Sequence, residues 1–364
     1  MNKKYYSLKN ILKYNALYNM IIGERSNGKT YACLCYGLEQ YVRTGKQMAY
    51  IRRWQDDFTG KRGATMFDAV TQNGVVERLT EGRWTGIYYY SGRWYLYCLD
   101  GDGKRVSDDQ PFCYAFALTQ MEHDKSTSYP NVTTVIFDEF LTRQSYLPDE
   151  FILFQNTLST IIRDRSDVKI FMLGNTVNKW SPYFSEMGLK HIKEMKVGSI
   201  DLYTYADSAL TVAVEFTGSE RHSKPSDVYF AFDNPRLDMI TGSNGIWEMA
   251  IYPHCPQKYT PKDVLFQYFI IFDNEILHAE VVQTKDSLFT FIHRKTTPIQ
   301  DEDRDLVYSP EWDSRPNHRR RITQPQDKLD RKLYDFYTSD RVYYQDNEVG
   351  EIMNNYLRWS RSAS

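Results

Sequence analysis

Residues able to do chemistry gather in three short stretches. The first is GERSNGKT, Gly23 to Thr30, which fits G-x-x-x-x-G-K-[ST] at every fixed position. Glycines at both ends let the main chain curl until successive N–H groups face one anion. This loop predicts a triphosphate cradle made of Gly23, Glu24, Arg25, Ser26, Asn27, Gly28, Lys29 and Thr30. Lys29 would reach the β- and γ-phosphates, and the Thr30 hydroxyl would hold Mg²⁺. The second stretch is NVTTVIFDEF, residues 131 to 140, an apolar run closed by two acids. Asp138 would bind Mg²⁺ through water, and Glu139 would activate the water that attacks the γ-phosphate. The third is VKIFMLGN, ending on Asn175. This residue reads either as a polar sensor of the γ-phosphate or attacking water, or as an Asn that caps a turn.

Elements to position these groups can be read nearby. Tyr18 to Ile22 is an apolar strand entering the loop, and a helix follows to about Val42. Thr44-Gly45-Lys46 marks its end, with glycine in the capping role. Gln47 to Arg53 reads as a strand, and the polar, Gly-containing residues 54 to 64 as a loop carrying Lys61 and Arg62. Two aromatic strands around Ser91-Gly92 predict a hairpin, an antiparallel flank to the main sheet. Val132 to Phe137 and Val168 to Gly174 read as buried central strands. Between them Phe151, Phe154, Leu158, Ile161 and Ile162 recur at helical spacing. Gly23, Asp138 and Asn175 therefore stand at the carboxyl ends of three strands, where open parallel sheets bind ligands. Asn178-Lys179-Trp180-Ser181 lacks the Asp of a guanine-reading motif, so ATP is the expected nucleotide.

Composition shifts at residues 217 to 226, TGSERHSKPS. The expected organisation is a domain over 1–216, a linker region over 217–246 and a second domain over 247–364. That second domain reads as strands at 247–255, 264–274, 275–283 and 288–294. A charged loop over 296–328 and two helices near 327–337 and 346–359 follow. The 364 residues carry 41% hydrophobic and 25% charged residues and a formal charge of -2, an ordinary soluble composition. The first 65 residues hold twelve Lys/Arg against four acids, a basic end suited to a polyanion. Five cysteines at spacings that fit no zinc motif read as reduced thiols. No run has the length of a membrane span, so no membrane partner is expected.

With these motifs in place the chain resembles the genome-packaging ATPases of small podophages of the phi29 type. The likeness rests on the phosphate loop, YIRR at 50–53, KSTSYPNVTTVIFDEF at 125–140, IIRDRSDVKIFMLGN at 161–175 and SPYF at 181–184. It implies an α/β fold: a P-loop NTPase domain of the additional-strand catalytic-glutamate, RecA-like type with a mainly parallel sheet. A smaller α+β, RNase H-like C-terminal domain without its metal site would follow. It also implies ATP and Mg²⁺ as cofactors and a pentameric ring on the portal (connector) protein of a prohead, in the host cytoplasm. Partners would be double-stranded DNA and, where one exists, a packaging RNA. Arg163 takes the role of arginine finger by resemblance, with Arg165 its rival; Lys125 would act at the same subunit interface. Two alternatives stay open: a terminase-like enzyme with an active nuclease, resting on Asp273, Glu275, Glu280 and Asp286, and a nucleotide-gated scaffold that does not turn over.

Overall fold

A computed structural model of the chain describes residues 6–25, 27–123, 127–142, 146, 147, 149–163, 165–176, 181–192, 194–205, 208, 210–218, 252–255 and 257–362. Two compact units result, one of residues 1–143 and 149–248, the other of residues 144–148 and 249–364. The expected linker lies outside the described residues from 219 onward.

The first unit is organised by one ten-stranded sheet. Its strands are β1 (Tyr18–Gly23), β2 (Gln47–Arg52), β3 (Gly86–Tyr90), β4 (Arg93–Leu99), β5 (Arg105–Ser107), β6 (Cys113–Ala117), β7 (Val132–Asp138), β8 (Lys169–Asn175), β9 (Ile200–Thr204) and β10 (Thr211–Thr217). They run in the order β3-β4-β6-β2-β7-β8-β1-β10-β9, with β5 on β4. From β6 to β10 every pairing is parallel, and the hairpin strands at one edge and β9 at the other are antiparallel. The aromatic hairpin thus continues the main sheet: β4 pairs β6 through Trp94 opposite Cys113. Every residue of β1 is buried, as a strand covered on both faces must be.

The helices that matter here are α1 (Lys9–Leu12), α2 (Lys29–Thr44), α3 (Gly60–Thr65), α4 (Asp68–Gln72), α5 (Val75–Leu79), α6 (Glu150–Ile162) and α7 (Pro182–Glu186). Helix α2 presents Cys33, Leu34 and Leu38 to the core. It ends at Gly45, whose φ of 70° lets its N–H reach the Tyr41 carbonyl at 2.8 Å. Residues 54 to 64 depart from the expected loop: Gln55–Phe58 is a 3-10 turn, and Lys61 and Arg62 lie on α3. The reason is packing. Gly63 sits where a Cβ would meet the Phe58 carbonyl at 2.6 Å and the Tyr89 ring at 2.7 Å. Its own carbonyl accepts the Trp94 indole N–H at 2.9 Å. Glycine here serves close approach in a helix, which composition alone reads as a breaker.

The second unit holds a six-stranded sheet of β11 (Val264–Phe272), β12 (Glu275–Gln283), β13 (Leu288–Lys295), β14 (Leu306–Tyr308), β15 (His318–Arg319) and β16 (Val342–Tyr344), ordered β15-β14-β11-β12-β13-β16. Strands β11, β12 and β13 form an antiparallel meander, and β14 lies parallel beside β11. Helices α8 (Lys328–Thr338) and α9 (Asn347–Ser362) follow as expected from sequence. Two expectations fail. The described part of 247–255 is not a strand but an isolated bridge from His254 to Tyr344, and the charged stretch 296–328 contains β14 and β15. Tyr308, fully buried in β14, explains the latter: one apolar triplet suffices to hold a strand in a polar segment. Among the described residues no helix is long and apolar enough to cross a membrane.

Candidate active site

Strand order brings the three stretches together. β8 stands between β1 and β7, so the carboxyl ends of all three are neighbours. Gly23 pairs Asn175 on one side and Thr217 on the other, and Asp138 pairs Leu173. A Cβ on Gly23 would meet the Thr217 carbonyl at 2.1 Å, so only glycine permits this approach. Gly28, at φ 94°, turns the chain left-handed into the first residue of α2. The loop's final N–H groups thereby point from the amino end of a 16-residue helix.

Lys29 is buried. Its ammonium donates to the carbonyls of Glu24 at 2.6 Å and Gly23 at 3.2 Å, and to Asn175 Oδ1 at 3.3 Å. Asn27 Oδ1 accepts the Lys29 main-chain N–H at 3.3 Å. The Thr30 hydroxyl donates to Asp138 Oδ2 at 3.1 Å. The same oxygen accepts from the Tyr50 hydroxyl at 2.5 Å. Burial first, and then the Asp138 carboxylate, push the Tyr50 hydroxyl well above its ordinary pKa, so it stays a donor. Glu139 is exposed, at φ 57°, and Arg52 donates to its carboxylate at 2.8 Å. Arg52 also bonds Asp57 at 3.3 Å and lies 3.8 Å from Asp138. Arg53 points the other way. Its guanidinium makes two 2.7 Å bonds to the buried Glu150 and donates to the carbonyls of Glu139 and Phe140. It thereby fixes the backbone just beyond the acid pair. Removing one partner of such a buried pair typically costs about 3–5 kcal/mol.

Tyr50 and Arg52 belong to the YIRR stretch that carries part of the resemblance, but sequence alone assigns them no role at the site. Both sit at the end of β2, and only the pairing of β2 with β7 places them beside Asp138 and Glu139. Asn175, Lys29, Thr30, Asp138 and Glu139 are brought to one end of the sheet. Glu24 contributes its carbonyl, and Arg25 is exposed at the loop. Arg163 is exposed at the end of α6, with φ 53° and ψ -131°, and its guanidinium reaches the Thr127 carbonyl at 3.5 Å. Arg165, half-buried, donates to four carbonyls, those of Ile161, Ile162, Tyr129 and Val132. Ser26 and Lys125 lie outside the described residues.

The model of the Podovirus DNA encapsidation protein (Gp16) family matches residues 1–94 and 97–225. The chain belongs to this family. It is 30% identical over 184 residues to the DNA packaging protein of Bacillus phage phi29, an overlap of 50% of this chain and 49% of that protein. The chain thus spans about half the length of the curated relatives it matches. Two solved structures share the fold along nearly the whole chain. "The Phi-28 gp11 DNA packaging Motor" matches with a TM-score of 0.57 at 18% identity, covering 100% of each chain. "The bacteriophage Phi-29 viral genome packaging motor assembly" matches with a TM-score of 0.57 at 21% identity, covering 98% of this chain and 99% of that one.

One pH dependence follows from the buried lysine. Burial lowers the Lys29 pKa to about 8, against the opposing pull of Asp138 and Glu24. A triphosphate favours the protonated form, so binding raises that pKa and takes up a proton. Any triphosphate held by this loop should therefore bind more weakly as pH rises through and beyond 8, by up to about tenfold per pH unit. Calorimetric titration at pH 8 in two buffers of different ionisation heat checks this. Equal heats in both buffers would show that Lys29 does not gain a proton.

Proposed function

We propose that the chain is the ATPase of a viral motor that packages double-stranded DNA. Hydrolysis in a ring of subunits on the portal vertex of a prohead drives the DNA inward. The observation that carries this reading is the Thr30–Asp138 hydrogen bond beside the Lys29–Asn175 contact. Those bonds join the phosphate loop, the acid-ended strand and the intervening strand into one site. A strand between loop and acid pair is the arrangement of additional-strand catalytic-glutamate ATPases, which supports that assignment.

In this reading the loop amides and Lys29 hold the triphosphate, and Asn175 orients the γ-phosphate or the water. The Thr30 hydroxyl and Asp138 carboxylate are hard oxygen donors of the kind Mg²⁺ takes. Mg²⁺ held by Thr30 and Asp138 would neutralise charge that develops on the triphosphate. Tyr50 holds the Asp138 carboxylate in place from the other side. Glu139, whose carboxylate accepts from Arg52, takes a proton from the attacking water. Arg163 serves the neighbouring subunit's nucleotide. Its exposure supports this choice over Arg165, whose Nε and Nη2 are spent on carbonyls of its own chain. Lys125 acts at the same interface.

The proposed organisation is an ATPase domain over 1–216, a linker over 217–246 and a remnant RNase H-like domain over 247–364. The order β15-β14-β11-β12-β13, a meander with a parallel strand beside its first member, supports that last assignment. Glu275 there pairs with Arg294 at 3.1 Å, so this carboxylate has structural employment, and Asp273 sits in a hairpin turn at φ 54°. This domain docks the ring on the portal or on a packaging RNA, in the host cytoplasm.

Double-stranded DNA should raise the ATPase rate. The effect should be indifferent to sequence and should fall steeply with salt, because phosphate contacts dominate such binding. Phosphate release measured across a salt series tests this; a rate unchanged by DNA at low salt would contradict it.

A further inference from the structure

We propose that the C-terminal unit carries a binding site for a divalent ion of the zinc class, formed by His278, Glu280 and His293. Along β12, residues 278 and 280 share a face, since side chains alternate. The register sets His293 of β13 directly opposite His278. One ligand atom from each of the three residues lies within 4.8 Å of the others. His293 Nε2 is already 3.7 Å from Glu280 Oε2. Tetrahedral zinc with bonds of about 2.0–2.2 Å holds its ligands about 3.4 Å apart, so small side-chain rotations close the set.

The surroundings prepare these groups as ligands. A metal-bound histidine usually gives its second ring N–H to an acceptor, which fixes the tautomer. His278 Nε2 lies 3.1 Å from Gln267 Oε1, and His293 Nδ1 lies 3.3 Å from the Arg294 carbonyl. In the tautomers that donate these two bonds, each ring keeps one nitrogen whose lone pair is available. The Tyr259 hydroxyl donates to Glu280 Oε2 and holds the carboxylate. The rings of Phe269 and Phe291 stack on His278 and His293 respectively and limit their rotation. Glu280 and His293 side chains are 19% and 30% exposed, dry enough to matter and open enough for entry.

Two imidazoles and one carboxylate favour zinc and its neighbours over Mg²⁺ or Ca²⁺, which prefer oxygen alone. Three protein ligands leave a fourth position for water or an incoming oxygen. Glu280 and Gln267 also line a cleft of about 660 Å³ with Arg304, Asp305 and Arg319, which gives such a ligand a route. The ion would pin β12 to β13. No step of ATP hydrolysis uses it.

The test uses the full chain, stripped with chelator and dialysed, with excess Mg²⁺ present to fill oxygen-only sites. Zn²⁺ is titrated by calorimetry, and Co²⁺ is added as a visible-absorption probe. The expected result is one ion per chain and the absorption of a tetrahedral or five-coordinate Co²⁺ with nitrogen ligands. His293→Ala should weaken binding at least 100-fold, and Gln267→Ala, which only orients His278, by about 10- to 100-fold. Circular dichroism confirms folding of each variant, and His278→Asn serves if His293→Ala does not fold. Absence of saturable binding, or binding unaltered in the folded variants, would overturn the proposal.

Discussion

Glu139→Gln should leave ATP bound and nearly stop its hydrolysis. The substitution keeps the side chain's length and an oxygen for the Arg52 bond, now 2.8 Å, but removes the base. A positioned general base contributes about 10²–10⁴ in rate, so turnover should fall by that factor. Affinity for ATP should change by only a few fold, because the proposed phosphate grip lies with Lys29, Thr30 and the loop amides, none of which the substitution touches. Stopped-flow phosphate release together with equilibrium binding of a fluorescent ATP analogue separates the two effects. Loss of binding in step with loss of turnover would assign Glu139 to the grip, and unchanged turnover would remove it from the chemistry.

Arg163→Ala should cost more. An arginine finger acting from a neighbour is worth about 10³–10⁵ in turnover. Activity per subunit of the wild type should rise with protein concentration as rings assemble, and that rise should vanish in the variant. A mixing experiment distinguishes a finger in trans from a local role. Lys29→Ala subunits should fail to hold nucleotide yet still offer Arg163. Mixed with Arg163→Ala subunits, they should restore part of the activity neither shows alone. Arg165→Ala should instead loosen the start of β7, since its guanidinium caps the Tyr129 and Val132 carbonyls, and should lower the melting temperature. Full activity of Arg163→Ala, with no gain on mixing, would mean that this residue is an ordinary surface charge.

The parts of this site that could be read in advance are those that local chemistry dictates. A loop that must curl around phosphate needs Gly23 and Gly28 wherever it occurs, and the apolar strands ending in Asp138 and Asn175 announce their own burial. What could not be read depends on which strand lies beside which. Tyr50 and Arg52 mark a strand end of the resembling family, yet have no partner acid until β2 is paired with β7. The same holds for His278 and His293, fifteen residues apart in the chain and opposite one another only through the β12–β13 register. In the sequence Glu280 is one acid among several, and only the sheet sets it beside two imidazoles. Helix α3 was hidden because Gly60 and Gly63 weaken helix propensity, and the tight packing that requires Gly63 is not local either.

The most direct test is a map of the ring assembled on a prohead with Mg²⁺ and a non-hydrolysable triphosphate. The account predicts the β- and γ-phosphates in the curve of Gly23 to Thr30, Thr30 and Asp138 about the cation, and Glu139 facing the γ-phosphate. It also places the neighbouring subunit's Arg163 at the phosphate's far side. A nucleotide bound away from that loop, or Glu139 turned from the γ-phosphate with no cationic side chain arriving from the next subunit, would contradict it.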